Sequence, residues 1–391
     1  MFLILLLLLP IAGLAYSGWH LWILLPLPSV WKAVVITVGT LCFLTLLLDF
    51  SGSLERMPLP LARILYRIGT SSVIVLLYVV MVFLLLDLGR LIHLVPRTWL
   101  HQNWVTTAAL TGLLLTIFVC GAIHYNNKVR VRLDLTTTKS LPHPFRLVML
   151  SDLHLGYHNT RSDLTRWIDL INAEQPDAIL IAGDIIDISV RPLLEEDMAA
   201  EFRRLTAPVY ACLGNHEYYS DVRHAHKFYD EAGITLLKDS AALVDSTLLI
   251  IGRDDRSNRH RKPLTELMSL ADISLTDSMS LTDATDSTDS LCKKEAERYY
   301  TIVLDHQPYH LEEAEAAGID FQLSGHTHRG QVWPISWITD AIYECSWGEH
   351  QRGSTRYYIS SGLGIWGGKF RIGTQSEYIV ATLGIRPHHH R

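Results

Sequence analysis

The segment that decides the fold runs from Arg146 to Gly156 and reads RLVMLSDLHLG. Its first five residues are mostly apolar and β-prone, which is typical of a buried strand. The strand runs into Asp152 and His154, two metal-binding residue types that an extended backbone points to the same side. The segment therefore predicts a strand that carries two metal ligands at its carboxyl end.

Four further segments have the same design. They are GDIID (183–187), GNHE (214–217), LDHQP (304–308) and GHTHRG (325–330). Seven runs are predicted as strands, RLVML, AILIAG, PVYACLG, TLLIIG, TIVLD, FQLSG and YYISSG, with amphipathic helices at Asp163–Ala173 and Leu194–Leu205. This alternation predicts an α/β domain with layered sheets, in which strand ends gather into one site.

The residue types in these segments favour a metal site without thiolates. The chain has five cysteines and no CxxC, so neither a disulfide framework nor a cysteine zinc site is indicated. Carboxylate and amide oxygens mixed with imidazoles suit Mn, Fe or Zn. Each residue alone also has a structural interpretation, such as a turn cap for Asp152 or a packed core histidine for His216. The five segments together favour metal binding.

The five motifs, in this order, resemble the calcineurin-like metallophosphoesterase superfamily, and more closely its membrane-associated bacterial phosphodiesterases. The similarity covers about residues 145–385 and includes SSGLG at 360–364. It implies a four-layer αββα sandwich and a centre of two divalent metal ions, Mn, Fe or Zn. It also implies attack on phosphorus by a hydroxide that bridges the two metals.

The resemblance assigns a role to each motif residue. It implies that the first metal is bound by Asp152, His154 and His328, and the second by Asn215, His306 and His326. Asp184 matches the carboxylate that bridges both ions. His216 matches the histidine that acts on the reacting phosphate, and Asp187 matches the carboxylate that orients this histidine. Glu217 is expected only to support the turn.

One position departs from the family pattern. The last motif commonly continues with Gly-Gly-Gln, whereas this chain has Arg329-Gly330-Gln331. We hypothesise that Arg329 contacts phosphate oxygens of the substrate through its planar guanidinium. The alternative is an arginine that faces solvent.

The N-terminal third is predicted to be a transmembrane region of about four helices, residues 1–127. Its apolar segments are Phe2–Leu25, Val30–Phe50, Ser71–Leu94 and Trp104–Ile123. Basic residues flank alternate ends of these spans six against three, with Arg56, Arg63, Arg67, Lys128, Arg130 and Arg132 on one side and Lys32, Arg90 and Arg97 on the other. Basic residues favour the cytoplasm, which predicts a multi-pass inner or plasma membrane protein with a cytoplasmic catalytic domain. Asp87 and Arg90 are expected to pair on one helix face.

The remaining residues, 128–391, are predicted to form the metallophosphoesterase domain. Residues 269–290 repeat Ser, Leu, Thr and Asp without a regular period and are read as a low-complexity surface insertion. The segment Val332–Trp347 contains three tryptophans, which fits either a lobe packed on the domain or a surface that dips into the membrane interface.

These observations predict a membrane-anchored phosphoesterase that hydrolyses a phosphodiester or pyrophosphate of a lipid or nucleotide. A phosphomonoesterase or phosphoprotein phosphatase, and a non-catalytic metal-binding membrane sensor, remain as alternatives. A lipid bilayer is an expected partner. Nucleic acid is not, because the net charge of −6 argues against binding through many phosphate contacts.

Overall fold

The computed structural model describes residues 2–269 and 298–385. The predicted insertion at 269–290 lies outside the described residues apart from Ser269. The chain divides into two compact units. One contains residues 1–123 with Trp366–Phe370, and the other contains residues 124–365 and 371–391.

The first unit is helical. Its helices are α1 (Phe2–Leu24), α2 (Ser29–Leu44), α3 (Leu46–Phe50), α4 (Leu59–Leu91) and α5 (Trp104–Asn126), the last of which continues into the second unit. Three helical stretches, Ser29–Phe50, Leu59–Leu91 and Trp104–Asn126, are long and apolar enough to cross a membrane. The helix α1 is also apolar. The length and apolar composition of these helices suggest association with a membrane.

The prediction for the third span was wrong at its start. The helix α4 begins at Leu59 rather than near Ser71, so Arg63 and Arg67 lie in the helix and not in a loop. Pro60 occupies the first turn, where its missing N–H leaves no hydrogen bond unmade. With 33 residues the helix is about 50 Å long, which exceeds the ~30 Å thickness of a hydrocarbon layer.

A polar cluster near the end of α4 confirms the predicted pair of Asp87 and Arg90. Arg90 Nη1 lies 3.2 Å from Asp87 Oδ1. The other oxygen of Asp87 accepts a hydrogen bond from the Tyr16 hydroxyl at 2.7 Å and lies 2.9 Å from His20 Nε2. Asp87 therefore joins helices α1 and α4 inside the helical unit.

The second unit is built on two six-stranded sheets. The strands are β1 (Lys128–Thr137), β2 (Phe145–Leu150), β3 (Ala178–Ala182), β4 (Val209–Cys212), β5 (Ile234–Leu236), β6 (Ser240–Val244), β7 (Leu248–Gly252), β8 (Tyr300–Leu304), β9 (Phe321–Ser324), β10 (Gly348–Arg352), β11 (Thr355–Ile359) and β12 (Ser376–Ile385). One sheet has the order β1-β12-β2-β3-β4-β5 and the other β10-β11-β9-β8-β7-β6. All seven predicted strands are present.

Parallel pairing dominates the middle of both sheets. The strands β2 to β5 run parallel, as do β7, β8, β9 and β11. The helices of this unit include α6 (Arg161–Ala173), α7 (Arg191–Glu195), α8 (Met198–Phe202), α9 (Asn215–Tyr219), α10 (Val222–Ala232), α11 (Glu312–Ala316) and α12 (Ile335–Ile342). Parallel strands end at the same edge of a sheet, so their carboxyl-end loops lie together.

Side-chain alternation along the strands creates three apolar layers. On β2, Val148 belongs to the same apolar cluster as Trp167 of α6, while Met149 belongs to the cluster that contains Ile302 of the other sheet. A third cluster on the far face of the second sheet includes Val303. Two packed sheets with helices outside them confirm the four-layer αββα prediction.

The predicted helix Leu194–Leu205 was wrong, because the chain breaks there into α7 and α8. Asp197, between them, has φ 48° and ψ 51°, a left-handed conformation that interrupts a right-handed helix. The strand β1 was also missed as a strand. Lys128, Arg130 and Arg132, predicted at the exit of the last span, lie in this strand, which follows helix α5.

Candidate metal centre

The predicted ligands lie in five loops that follow strands. Each loop places its first ligand within three residues of the strand end. These residues are Asp152 after β2, Asp184 after β3, Asn215 after β4, His306 after β8 and His326 after β9. The structure thus brings together residues from across the domain at the carboxyl edges of both sheets.

The first group of ligands contains Asp152, His154 and His328. His154 Nε2 lies 3.0 Å from His328 Nε2, and His328 Nε2 lies 3.4 Å from Asp152 Oδ1. Two ligand atoms that share an ion at ~2.0–2.1 Å are themselves about 2.9–3.4 Å apart. All three side chains are buried. Their spacing fits one shared cation.

The second group contains Asn215, His306 and His326 together with Asp184. His326 Nδ1 lies 2.8 Å from Asn215 Oδ1, and His306 Nε2 lies 3.1 Å from Asp184 Oδ2. His306 Nδ1 lies 2.8 Å from the Ala182 carbonyl oxygen, to which it can donate its proton. That contact directs the lone pair of His306 Nε2 toward the centre, as an outer hydrogen bond does for metal-bound histidines.

Asp184 connects the two groups. Its Oδ2 lies 3.1 Å from His306 Nε2 and 3.6 Å from His154 Nε2. Its Oδ1 accepts a hydrogen bond of 2.9 Å from the backbone N–H of His216. One carboxylate therefore faces a ligand of each group, which is the placement expected of a bridging residue.

The backbone at the ligands is strained. Asp152, His154, Asp184, His326 and His328 all have positive φ values between 44° and 70°, a region that non-glycine residues seldom adopt. Such strain persists only where the surrounding structure enforces it, and it is concentrated at functional sites. The strain therefore sets these residues apart from ordinary loop positions.

The electrostatics of the centre suit a cation. Burial lowers the pKa of His326 to about 4, so its imidazole is neutral at pH 7 and offers a lone pair. Burial also lowers the pKa of His154, but the carboxylates of Asp152 and Asp187 beside it outweigh burial and raise the pKa to about 10. Despite burial, the charge of Asp184 likewise raises the pKa of His306. The protons on His154 and His306 neutralise the charge of the nearby carboxylates, a role that a bound cation would take over.

One orphaned atom shows the same fit. Among the described residues, buried His306 Nε2 has no hydrogen-bond partner, although Asp184 Oδ2 is 3.1 Å away. Two donor atoms at this separation without hydrogen-bond geometry are typical of ligands that bind a common ion. The side chains present therefore fit the metal ions that the sequence predicts.

Asp187 contacts two histidines rather than one. Its Oδ1 lies 3.3 Å from His216 Nδ1 and 3.3 Å from His154 Nδ1. Burial would raise the pKa of this carboxyl, but the two adjacent imidazoles keep it below its ordinary value. The rings of His154 and His216 meet edge to face with centroids 4.5 Å apart. Asp187 thus fixes a predicted ligand and the predicted catalytic histidine at once.

Glu217 supports the turns as expected. Its carboxylate accepts hydrogen bonds from the backbone N–H groups of Gly214, Ile186 and Asp184 at 2.7, 3.0 and 3.2 Å. Gly214 is required beside it, since a Cβ at that position would collide with Asp184 Oδ1. Glu217 therefore holds two of the ligand loops together from behind.

Two positioning residues escaped the sequence analysis. The Arg371 side chain is fully buried and donates to the carbonyls of His328 at 2.8 Å and Gly364 at 3.1 Å. Asn159 donates to the carbonyls of Leu153 and His154, both at 2.9 Å. Neither belongs to a recognisable motif, because each acts through backbone groups that carry no residue-type signal.

Arg329 does not join either ligand group. Its guanidinium carbon lies 3.9 Å from the centroid of the Trp347 ring, and its φ of 50° is left-handed. Trp347 Nε1 in turn donates to the Glu377 carboxylate at 3.0 Å. The stacking holds Arg329 in a fixed orientation. Contact with substrate phosphate stays a prediction.

Comparison with known proteins identifies related sequences. Residues 145–330 match the family described as calcineurin-like phosphoesterase. The chain is 27% identical over 244 residues to an uncharacterized metallophosphoesterase of Helicobacter pylori (strain ATCC 700392 / 26695), a match that covers 62% of this chain and 60% of the relative. It is 28% identical over 330 residues to a transmembrane protein with metallophosphoesterase domain of Danio rerio, covering 77% of this chain and 70% of that protein.

Solved structures with some likeness include a 5'-nucleotidase precursor from Thermus thermophilus. That chain has a TM-score of 0.36 and 15% sequence identity, with 61% of this chain and 55% of that chain covered. The present chain spans about 60% of the length of the Helicobacter relative.

Proposed function

The chain carries a calcineurin-like phosphoesterase domain, and from this premise we propose that it is a metal-dependent hydrolase of phosphoester bonds. The observation that carries the proposal is the pair of ligand groups joined by Asp184. Asp152, His154 and His328 would hold one divalent ion, and Asn215, His306 and His326 the other. Two bound ions would polarise the phosphate and activate water.

The protein's own side chains complete the reaction. His216 would give a proton to the leaving ester oxygen, and Asp187, 3.3 Å from its Nδ1, would orient the ring. Glu217 and Arg371 hold the loops on which the ligands lie. This division of roles needs no covalent intermediate.

Turnover with matched substrates tests the proposal. Full-length protein loaded with Mn, Fe or Zn should hydrolyse bis(p-nitrophenyl) phosphate, and removal of metal by a chelator should abolish the activity reversibly. A phosphodiesterase is expected to prefer this diester over p-nitrophenyl phosphate, and the reverse preference would indicate a phosphomonoesterase. Bound metal without turnover of either ester would indicate a sensor instead.

The finer proposal is a lipid-linked phosphodiester or pyrophosphate. The helix α12 exposes Trp337, Ile338 and Ile342, each more than half accessible, in a domain tethered to apolar helices. This helix adjoins the turn of His328. The backbone of residues 335 and 336 lies so close to Gly330 that a Cβ on Gly330 would collide with it. An apolar, tryptophan-bearing helix of this kind favours the membrane interface.

A matched pair of substrates tests the lipid link. CDP-diacylglycerol in mixed micelles and water-soluble CDP-glycerol present the same pyrophosphate with and without acyl chains. The double variant Trp337→Ser, Ile338→Ser should lose at least tenfold in kcat/KM for the lipid and keep its rate on the soluble ester. Equal losses on both substrates would show that α12 supports the fold rather than lipid access.

Arg329 is proposed to bind a phosphate oxygen of the substrate. Its guanidinium is held against Trp347, which leaves the planar edge available for two hydrogen bonds. Arg329→Ala should raise KM about tenfold or more without a change in metal content, as expected for loss of a charged hydrogen bond. An unaltered KM would leave Arg329 a purely structural partner of Trp347.

The multi-pass topology with a cytoplasmic catalytic domain is also a proposal. It rests on the apolar helices and on the basic residues beside them. A C-terminal green fluorescent protein fusion should fluoresce, and a C-terminal alkaline phosphatase fusion should be inactive. The opposite result would place the domain outside the cytoplasm.

A further inference from the structure

A second group of polar side chains lies beside the metal centre. Arg256 follows strand β7, and its guanidinium carbon is 4.7 Å from the centroid of the Tyr309 ring. The Tyr309 hydroxyl is hydrogen-bonded to the Tyr343 hydroxyl at 2.9 Å. We call Arg256, Tyr309 and Tyr343 the Arg256 cluster.

This cluster adjoins the second group of metal ligands. The Tyr343 ring lies 6.3 Å from the ring of His326, centroid to centroid. Tyr309 is three residues after His306 in the same loop. The intervening Gln307 donates to both carboxylate oxygens of Asp255, the residue before Arg256. The cluster is thus connected to both histidines of the second ligand group.

Arg256 differs from the other arginines of its segment. Arg253 is paired with Asp305 at 3.0 Å and Arg261 with the same carboxylate at 3.1 Å. By contrast, Nη1 of Arg256 is buried and has no hydrogen-bond partner within the described part of the chain. A buried donor without a partner is costly, and such a donor next to a candidate active site indicates a ligand.

The carboxylates beside Arg256 are already occupied. Asp254 accepts from the Tyr218 hydroxyl at 2.7 Å and from Asn258 Nδ2 at 2.8 Å. Asp255 accepts from Gln307 at 2.9 Å and from the backbone of Ser257 at 2.8 Å. The positive charge of Arg256 is therefore available to an external anion.

The cluster also offers a second donor. A hydrogen bond between two hydroxyls uses only one of their two protons, so the Tyr309–Tyr343 pair retains one proton for a ligand. Stacking on Tyr309 holds the guanidinium plane in place. Together these groups form a preorganised site for a tetrahedral anion.

We propose that the Arg256 cluster binds a second anionic group of the substrate, next to the phosphate that is hydrolysed. The substrate class is then a pyrophosphate, or a phosphodiester that carries a further phosphate. This inference rests on the proposed hydrolase function and makes it more specific. Arg256 would determine specificity, and no bond would form or break at it.

Inhibition by anions of different length tests the proposal. Turnover of bis(p-nitrophenyl) phosphate reports on the centre, imidodiphosphate spans both sites, and orthophosphate occupies one. Free metal is held constant by a metal buffer. In Arg256→Gln, the Ki of imidodiphosphate should rise about tenfold to hundredfold, as expected for one or two charged hydrogen bonds. The Ki of orthophosphate and the KM of the diester should stay within twofold.

Three variants make the result specific. Arg259→Gln removes the same charge from an exposed position of the same segment and should leave both Ki values unchanged. Tyr309→Phe keeps the ring under the guanidinium and should have only a small effect on the Ki of imidodiphosphate. Tyr343→Phe removes a hydroxyl and should raise the Ki of imidodiphosphate several-fold. Thermal unfolding of each variant checks that the fold is intact.

Two results would overturn the proposal. An unchanged Ki of imidodiphosphate in Arg256→Gln would show that no second anion binds there, and equal effects on both anions would place Arg256 at the reacting phosphate. Calorimetric titration of imidodiphosphate into metal-loaded protein gives the same comparison without turnover. It therefore tests the Arg256 cluster even where hydrolysis of the diester, and with it the proposed function, fails.

Discussion

Replacement of Asp187 by Asn probes the residue on which both parts of the mechanism depend. Its Oδ1 is 3.3 Å from the Nδ1 atoms of His154 and His216, so one carboxylate faces two imidazoles. An Asn side chain keeps the shape but turns one of its two positions into an N–H donor. Even if the amide oxygen keeps the position of Oδ1, both histidines lose the negative charge of their shared neighbour.

The size of the effect follows from the two contacts. Loss of the outer partner of a metal-bound histidine costs about 10–100-fold in metal affinity or activity. Loss of an oriented general acid costs about 10²–10⁴-fold, and only where the leaving group needs a proton. The Asp187→Asn variant should therefore lose about 10²–10⁴-fold in kcat with a poor leaving group. With a good leaving group it should lose at most about 100-fold.

The assay compares two esters that differ only in the leaving group. The p-nitrophenyl and phenyl esters of thymidine 5′-monophosphate are turned over at saturating metal, with metal content measured by mass spectrometry. Asp169→Asn is the control, since Asp169 is an exposed partner of Arg204. Equal losses on both esters at full metal content would refute proton donation through His216 and leave Asp187 a metal-orienting residue alone.

Three further predictions address the scaffold and the ions. Arg371→Met leaves backbone carbonyls unpaired in the interior. The free energy of unfolding should fall by about 3–5 kcal/mol, which lowers Tm by about 6–20 °C. A shift in Tm below about 2 °C would contradict the structural role of Arg371. Gly214→Ala places a Cβ against Asp184 and should halve the metal content without unfolding the domain. Metal analysis measures the content, and circular dichroism checks the fold. Full metal occupancy would contradict the tight contact. The neighbouring carboxylates raise the pKa of His154 to about 10 and also raise the pKa of His306, so both imidazoles are protonated at pH 7 without metal. Metal binding should therefore release about two protons, and the metal affinity should weaken as the pH falls. Calorimetry in buffers of different ionisation enthalpy measures this release, and a value near zero would contradict it.

The local chemistry of the chain is readable from its residue order. Each predicted strand exists because apolar, β-prone residues need burial on both faces of a sheet between other layers. The ligand types follow directly at the strand ends, so the five motifs could be found without coordinates. The break between helices α7 and α8 was not predicted, because nothing in the residue pattern around Asp197 shows that its backbone is left-handed.

The amino-acid sequence by itself predicted the layered α/β fold, the apolar helices and the set of candidate metal ligands. Only the tertiary structure decided which of them meet. His154 and His328 are 174 residues apart, yet their Nε2 atoms lie 3.0 Å from one another because parallel strands of two sheets end at one edge. The same packing gave Asp187 its second histidine and, among the described residues, left Arg256 Nη1 without a hydrogen-bond partner. Such contacts depend on distances between elements and not on the order of residues within them.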